Sequence, residues 1–509
     1  MTTDHGQGDR MAVKRLKQAV KFMCLVIVSA AIGLGCQKDL PELDPQKFVS
    51  PAPGKTFEIE KTAKPDVMPS EKSPEMPQQF AAERENLTLA QLMDVALQIN
   101  PDTQESWDRA RAAAAEWGVA RGSYYPSVDG AVSGYGGNLS QMRGVLGDVG
   151  LSLSYLLLDF GGREATAESA RQALIAANWN HNQSIQDLLR NVPQAYYRYL
   201  GNKARVRASE VSLNEALTSL RSTEQRKKAG VSTIADVLQA RSRADQIRLD
   251  LVANRGAVQV SRGDLATAVG WAANTPFDVA EAPEDLPLDR MEENTKHLIE
   301  LAVRDRPDLA AARAAVRQGE AEVRKAEADL WPKLVASGNI GWSAVNGKIY
   351  GEDVDDHDTS YYGQLMLQIP LFEGFTLRNR VRQANANLEA SRAALRKTEE
   401  SVISDVWSAY YNVHTAAQQV ESSETLLISS RESYRVSLAR YRAGVADIVE
   451  LLNAQSQLAA ARAQKVEART RLFTSYAELV HAIGASLPEH QSDEMSMSSV
   501  KKEGSVNGR

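Results

Sequence analysis

Two stretches of the chain have an unbroken helical pattern of unusual length. Residues 164–228 contain only Pro193 and Gly201 as helix breakers, and residues 378–442 contain neither proline nor glycine. A helix of about 65 residues extends roughly 100 Å at about 1.5 Å per residue, which no globular domain accommodates. The pattern therefore predicts two rod-like helices that pack beside other helices, with a kink or break near Pro193.

Ahead of each helical stretch the pattern alternates with a period of two, which is typical of β-strands. Residues 151–155 alternate leucine or tyrosine with serine, and residues 364–369 alternate glutamine or methionine with leucine or isoleucine. A weaker, glycine-rich version precedes each of them. Each half of the chain is thus predicted to form one hairpin, 124–158 and 332–372. Strands of about ten residues are expected, which suits a tilted transmembrane strand.

The two halves of the chain are copies of one another. An offset of 214 aligns Gly230 with Gly444, and no gap is needed from residue 151 to 270. Upstream the offset falls to 206, which places an insertion of eight residues in the acidic segment 351–358. Insertions collect in exposed loops, so we expect this segment to be a loop between the two strands of the second hairpin.

Four amphipathic strands impose a condition on any membrane location. They cannot close a barrel alone, because the smallest single-chain membrane barrels have eight strands and an unpaired edge in lipid is prohibitively costly. If the strands lie in a membrane, the chain must oligomerise, and three copies would supply twelve strands. The predicted fold class is therefore an α+β membrane protein built from two tandem repeats.

The N-terminal segment differs from the rest of the chain. Four basic residues within 14–21 precede the apolar run 22–34, which is too short to span a bilayer and is typical of a secretory signal. Residues 33–36, Gly-Leu-Gly-Cys, resemble a bacterial lipobox, although Gly33 departs from the usual leucine. Cleavage before Cys36 would leave one cysteine and no possible intramolecular disulfide, which favours a diacyl anchor over an ordinary cleavage site with an incidental cysteine.

Composition sets the remaining boundaries, because eight of the 18 prolines fall between Pro41 and Pro77 and the end of the chain is small and polar. The predicted organisation is a signal peptide (1–35), a proline-rich tether (36–85), a first repeat (86–270), a linker (271–296), a second repeat (297–484) and a disordered tail (485–509).

Composition and motif content exclude several classes of function. A net charge of −6 argues against general nucleic-acid binding. The seven histidines have no metal-ligand spacing, and a solvated side chain is the favoured interpretation of His357 in the acidic segment. No arrangement of nucleophile, base or cofactor motif is present, so we expect no enzyme activity, no cofactor and no metal site.

Several segments together resemble TolC-like outer membrane efflux proteins, most closely the lipoprotein branch that serves resistance-nodulation-division pumps. They are "RPDLAAARAAVRQGEAEVRKAEADLWPKL" at 306–334, "LQIPLFEGFTLRNRVRQANANL" at 367–388, and the paired turns at Gly230 and Gly444. Each segment is weak evidence alone, whereas the duplicated set in this order is specific. The resemblance covers residues 86–484, almost all of the mature chain.

The resemblance implies a homotrimer that joins a short outer-membrane β-barrel to a long periplasmic α-helical barrel, with the linker 271–296 near the helical midpoint. It implies a passive duct for small molecules such as drugs or metals, driven by an inner-membrane pump through a periplasmic adaptor, and lipid-anchored in the bacterial outer membrane. The alternative is a lipid-anchored periplasmic coiled-coil adaptor or scaffold without a pore. The duplicated hairpins argue against that alternative.

The resemblance also assigns roles to the turns that follow the long helices. It places the tip turns and adaptor docking at two Gly-Val pairs: Gly230, Val231, Gly444 and Val445. It places the periplasmic aperture or gate at a second set: Asp236, Tyr441, Arg442, Asp447, Glu450 and Asn453. Arg442 is the expected partner of Tyr441, and Asn453 stands where the family often has a second acid. For the three acids the alternative is a first-turn position favoured by the helix dipole.

Overall fold

The computed structural model describes residues 85–139, 142–281, 294–349 and 352–484, and one arrangement of elements occurs in it twice. The first half contains α1 (Leu89–Ile99), α2 (Pro101–Gly122), β1 (Ser127–Leu139), β2 (Met142–Leu158), α3 (Gly162–Lys228) and α4 (Ile234–Val269). The second half contains α5 (Thr295–Asp305), α6 (Pro307–Ala328), β3 (Lys333–Ile349), β4 (Glu352–Gln368), α7 (Thr376–Arg442) and α8 (Ile448–Ala482).

The duplication extends to the lengths of the helices. The long helices α3 and α7 have 67 residues each, α2 and α6 have 22 each, and α1 and α5 have 11 each. The predicted signal peptide with Cys36, nearly all of the tether, and the tail lie outside the described residues. Their predictions therefore stay predictions.

Helix α3 runs without interruption through Pro193, so of the expected kink or break the break is wrong, and the kink stays a prediction. A proline inside a helix costs about 3 kcal/mol. At this level Leu188, Val192 and Tyr196 are buried against α1 and the segment 271–279. Burial of large side chains contributes about 1.5–3 kcal/mol each, and the combined packing outweighs the lost backbone hydrogen bond.

The four strands form one antiparallel sheet in chain order. Their lengths are 13, 17, 17 and 17 residues, so the expected ten residues per strand were too few. In β4, Asp356 pairs with Val345 and His357 pairs with Ala344. The expected loop at 351–358 is therefore wrong from Glu352 onward. The backbone ladder does not depend on side-chain polarity, so the inserted residues lengthen the hairpin instead of forming a loop.

The sheet has one apolar face and one polar face. The ladder places apolar side chains side by side on one face, all of them exposed in a single chain: Val128, Val132, Val149, Leu151, Leu153, Ile340, Leu365 and Leu367. The other face carries serine, aspartate, asparagine and glutamine, and the Ser133 hydroxyl donates a hydrogen bond to Asp148 Oδ1 (2.6 Å). A sheet of this kind separates lipid from water.

The helices lie side by side in a layer whose order changes along α3. Next to the sheet the order is α2, α3, α6, α7, and towards the far ends of α3 and α7 it is α4, α3, α8, α7. The Ser169 hydroxyl of α3 donates to Glu322 Oε1 of α6 (2.6 Å). Arg462 of α8 binds both carboxylate oxygens of Glu215 of α3 (2.7 and 2.8 Å). Helix α3 thus takes part in both arrangements, the one next to the sheet and the one towards the far ends of the long helices.

Each half has one large apolar cluster near the middle of its long helix. In the first half α1, the middle of α3, the end of α4 and residues 271–279 pack together, and Leu87 forms a parallel bridge with Val279. In the second half α5, the middle of α7 and the end of α8 form the corresponding cluster. Among the described residues, no helix is long and apolar enough to cross a bilayer, and no group of acidic, histidine or cysteine side chains could hold a metal ion.

Candidate functional site

The two turns at the far ends of α3 and α7 have the same geometry. Gly230 and Gly444 both have a φ of +77°, which only glycine adopts without strain. The Val231 N–H donates to the Arg226 carbonyl oxygen (3.0 Å), and the Val445 N–H donates to the Arg440 carbonyl oxygen (3.0 Å). These are Schellman motifs, which end a helix by satisfying its last carbonyl groups. Both valines are exposed, at 63% and 67%.

The returning helix α4 begins with a capping box. The Thr233 N–H donates to Asp236 Oδ2 (2.7 Å), and the Asp236 N–H donates to the Thr233 hydroxyl oxygen (3.2 Å). The Ser232 hydroxyl also donates to Asp236 Oδ2 (2.7 Å). The Thr233 N–H, followed by the Ser232 hydroxyl, holds the pKa of the Asp236 carboxyl below its usual value. Within one chain, Asp236 therefore stabilises the start of α4.

The returning helix α8 begins differently, although it is the copy of α4. Asp447 is the N-cap and accepts a hydrogen bond from the Glu450 N–H (2.8 Å). The Glu450 side chain turns back towards α7, where Arg440 Nε lies 3.3 Å from its Oε1 atom. The Ser437 hydroxyl donates to the same oxygen (3.4 Å). Arg440 thus joins the two helices of the second hairpin, whereas Asn453 is exposed beyond this contact.

Tyr441 joins the second hairpin to the first. The ring is buried, and the hydroxyl lies 3.1 Å from the Thr223 hydroxyl of α3. Thr223 Oγ1 donates its own hydrogen to the Ser219 carbonyl oxygen (2.9 Å), so Tyr441 must be the donor to Thr223. Within the chain, the Tyr441 hydroxyl therefore binds Thr223 and not Arg442, the partner expected from the sequence.

Arg226 makes the second contact between the hairpins, and the sequence reasoning missed it. Its Nη1 atom donates to the carbonyl oxygens of Tyr441 (3.1 Å) and Arg442 (3.4 Å) at the end of α7. The guanidinium also lies 4.8 Å from the centre of the Tyr441 ring. A cation is favourable both at a helix C-terminus and over an aromatic ring.

The repeat contained a signal that pointed to Arg226. By the offset of 214, Arg226 corresponds to Arg440, and Asp236 corresponds to Glu450. Arg440 pairs with Glu450 inside its own hairpin, whereas the carboxylate of Asp236 is occupied by the cap of α4. Arg226 is therefore available to bind the neighbouring hairpin. We call the contacts of Arg226 and Thr223 with Tyr441 the tip link.

A family model described as outer membrane efflux protein matches residues 92–271 and 298–485. The chain belongs to the outer membrane efflux protein family. Membership confirms the predicted outer-membrane channel of an efflux system, extending into the periplasm, and confirms that the chain is not an enzyme. Membership also argues against the alternative of a lipid-anchored adaptor or scaffold without a pore. Outer membrane efflux proteins of tripartite pumps form trimers that work with a periplasmic adaptor and an inner-membrane pump, as predicted.

Relatives of this outer membrane efflux protein cover most of its length. Protein CyaE of Bordetella pertussis is 30% identical over 79% of this chain and 84% of the relative. Outer membrane protein OprJ of Pseudomonas aeruginosa is 25% identical over 79% of this chain and 85% of the relative.

Solved structures confirm the predicted fold class. The outer-membrane channel OprN has a TM-score of 0.69 at 22% identity, covering 82% of this chain and 98% of that one. The outer membrane protein VceC of Vibrio cholerae has a TM-score of 0.69 at 19% identity, covering 79% of this chain and 97% of that one. The roles of the individual tip residues are not tested by these likenesses and stay predictions.

Proposed function

We propose that three copies of this chain form a continuous exit duct and that the tip link holds its periplasmic end closed. The observation that carries this proposal is that the sheet and both parts of the helical layer each end in two edge elements, which have a neighbour on one side only. They are β1 and β4 in the sheet, α2 and α7 beside the sheet, and α4 and α7 towards the tips. Unpaired strand edges are not tolerated in lipid, so copies must join β1 to β4 around a closed ring.

The exposed side chains of the edge helices support this assembly. Helix α4 exposes Leu249, Val252 and Val260, and α7 exposes Trp407 and Ile428. In a ring the α4 edge of one copy meets the α7 edge of the next, which buries such side chains. Twelve strands and a ring of twelve helices at each level follow from three copies.

The wall proposed to face the duct is polar and of mixed charge. On the side of α3 away from the apolar cluster, Arg205 Nη2 lies 3.0 Å from Glu467 Oε2, and Gln194 Nε2 donates to Glu478 Oε2 (2.6 Å). A wall of paired charges offers no apolar pocket that would select a ligand. We therefore propose passive conduction of small molecules such as drugs or metals, with the pump choosing the cargo.

The names of relatives are compatible with varied cargo. One relative in Pseudomonas putida is named a toluene efflux pump outer membrane protein, and one in Pseudomonas aeruginosa is named a pyoverdine export outer membrane protein. The two names refer to different molecules. For this chain we propose a duct that does not itself select the cargo.

The tip residues are proposed to act at two positions. Gly230, Val231, Gly444 and Val445 form the exposed turns, which are proposed to meet the adaptor. The six residues of the aperture set, Asp236, Tyr441, Arg442, Asp447, Glu450 and Asn453, lie in or next to the tip link and the two helix starts. Arg442 and Asn453 are exposed in one chain, and we propose that they make contacts between copies.

The lipid anchor at Cys36 is proposed on the sequence alone. In intact-mass spectrometry of the mature chain, we expect the mass of a diacylated cysteine on the wild type and its absence on Cys36→Ser. An unlipidated wild-type chain would refute the anchor and leave the duct proposal unaffected.

Planar bilayers test the duct itself. The purified full chain should form discrete channels whose step size is uniform, and channel activity should survive in Cys36→Ser because the described strands begin only at Ser127. A pure, folded preparation with no channels in either form, nor in Arg226→Gln, which weakens the tip link, would contradict the proposal.

A further inference from the structure

A groove at the sheet end of the helical layer has a charge pattern that the duct and the tip link do not explain. It has a volume of about 660 Å³ and lies between α2, α3 and α6 of one chain. Each of these helices contributes one arginine to it: Arg121, Arg171 and Arg324. The rings of Trp117 and Tyr125 complete its walls. Three arginines beside aromatic rings favour an anionic ligand with an apolar part.

The groove lies at the level where the membrane should end. Exposed aromatic rings cluster where strands meet helices, including Tyr125, Trp331 and Phe372. Such rings typically mark the boundary between the apolar core of a membrane and water. Arg171 lies nine residues into α3, roughly 14 Å along its axis. The arginines therefore stand just beyond this boundary, at the depth of lipid headgroups.

The groove opens on the outer side of the layer. Arg171 precedes Tyr196 by roughly 25 residues, about seven helical turns, so both lie on the same side of α3. That side is covered further along by residues 278–280, where the Tyr196 hydroxyl donates to the Ala280 carbonyl oxygen (2.9 Å). The polar wall of the duct lies on the opposite side. A ligand in the groove would reach it from the membrane and not from the duct.

Two arginines and one acid of the groove, Arg121, Arg324 and Glu164, make no side-chain hydrogen bond within the described residues, although the charge of Arg324 also acts on Glu168. Glu168 accepts hydrogen bonds from Gln172 (2.6 Å) and Arg171 (3.3 Å), which keep the pKa of its carboxyl below the usual value. Arg121 stacks on the Trp117 ring at 5.2 Å, and this contact leaves its N–H groups available.

Exposed Arg324 and the carboxylate of Glu164 also line the groove. Two cations and one anion in this arrangement suit a zwitterion.

The second half of the chain shows that the fold does not require this pattern. By the offset of 206, Arg121 corresponds to Glu327, and by the offset of 214, Arg171 corresponds to Asn385. Glu164 corresponds to Arg378. The same structural positions in the second half thus have the opposite charge or none. Arg121 and Arg171 thus have no basic counterpart in the second half, and Arg324 of α6 completes the groove.

We infer that this groove binds the headgroup of a phosphatidylethanolamine from the membrane leaflet that faces the periplasm. Its phosphodiester would lie on Arg121 and Arg324, its primary ammonium would face Glu164, and its acyl chains would run along the apolar face of the sheet. The inference rests on the outer-membrane location of the strands and is independent of the tip link.

Native mass spectrometry of the purified full chain, after exchange into short-chain lipids, tests the groove. We expect the trimer to retain up to three phosphatidylethanolamine molecules in preference to phosphatidylcholine, which has no N–H donor for Glu164. In R121Q/R324Q the retained lipid should fall at least tenfold, since each lost charged contact is worth about tenfold.

The matched control is R378Q/R380Q, which removes two exposed arginines at the same depth in the second half. It should retain lipid as the wild type does. Equal loss in both double variants, equal retention of the two lipids, or a wild type without lipid would overturn the inference. Channel activity of R121Q/R324Q in bilayers, measured separately, shows that a loss of lipid is not a loss of the duct.

Discussion

The tip link makes its most specific prediction through Arg226. Replacement of Arg226 by Gln removes the guanidinium that binds the Tyr441 and Arg442 carbonyl oxygens and stacks on the Tyr441 ring. The backbone of α3 and its Schellman turn do not depend on this side chain. The variant should therefore fold and assemble as the wild type does, and should differ in how long the tips stay together.

The magnitude follows from the contacts that are lost. A hydrogen bond to a charged group contributes about 1.5–3 kcal/mol, and a partly exposed cation over an aromatic ring contributes about 0.5–1 kcal/mol. Arg226 is only half-buried, so solvent screening reduces the sum to about 2 kcal/mol per copy. A change of this size shifts the balance between open and closed tips by about thirtyfold.

Single-channel recording in planar bilayers measures this shift, and Arg440 provides the matched control. Arg440 occupies the equivalent position in the second hairpin, and its contact with Glu450 is an exposed ion pair worth about 0–1 kcal/mol. For the tip of each copy, we expect the ratio of open to closed states to rise by about thirtyfold in R226Q and by less than about fivefold in R440Q. Equal effects of the two variants, or no effect of R226Q, would refute the reasoning.

Three further predictions concern single side chains. Tyr441→Phe removes the hydroxyl that donates to Thr223, and its loss of about 1 kcal/mol per copy should raise the ratio of open to closed states of each tip in bilayers by about fivefold, less than R226Q does. Gly444→Ala forces a side chain into a φ of +77°, which should destabilise the chain by about 1 kcal/mol in thermal unfolding without abolishing assembly.

Burial alone would raise the pKa of the Asp278 carboxyl, but the bonds from Lys203, the Val279 N–H and the Tyr199 hydroxyl together outweigh it and hold the pKa below its usual value. Its contribution to stability should be present above about pH 4 and lost as the pH falls through the folded pKa. When the melting temperature is measured as a function of pH, Asp278→Asn should therefore lose less stability than the wild type on acidification. An equal loss in the two proteins would contradict this.

Sequence reasoning succeeded where a local property decides the structure. The length of α7 follows from the absence of helix breakers, and the turns follow from two glycines at one offset. Sequence reasoning failed where contacts with residues far along the chain decide the local structure. Pro193 stays inside a helix because neighbouring side chains are buried, and acidic residues of β4 extend because a partner strand pairs with them.

The tip link shows the same limit. Arg226 and Arg440 are the same residue at equivalent positions of the repeat, yet one crosses to the other hairpin and one does not. The difference depends on which helix lies beside each arginine, and this order of helices is not visible in local spacing. The comparison of repeats aligned Asp236 with Glu450 but did not single out Arg226, and the structure was needed to find the contacts of these side chains.

Electron cryo-microscopy of the purified full chain tests the central claim most directly. The account predicts three copies around one axis, twelve strands with β1 of each copy beside β4 of the next, and Tyr441 of every copy in contact with its own Thr223 at a closed tip. A different number of copies, or β1 paired with β1, would contradict it.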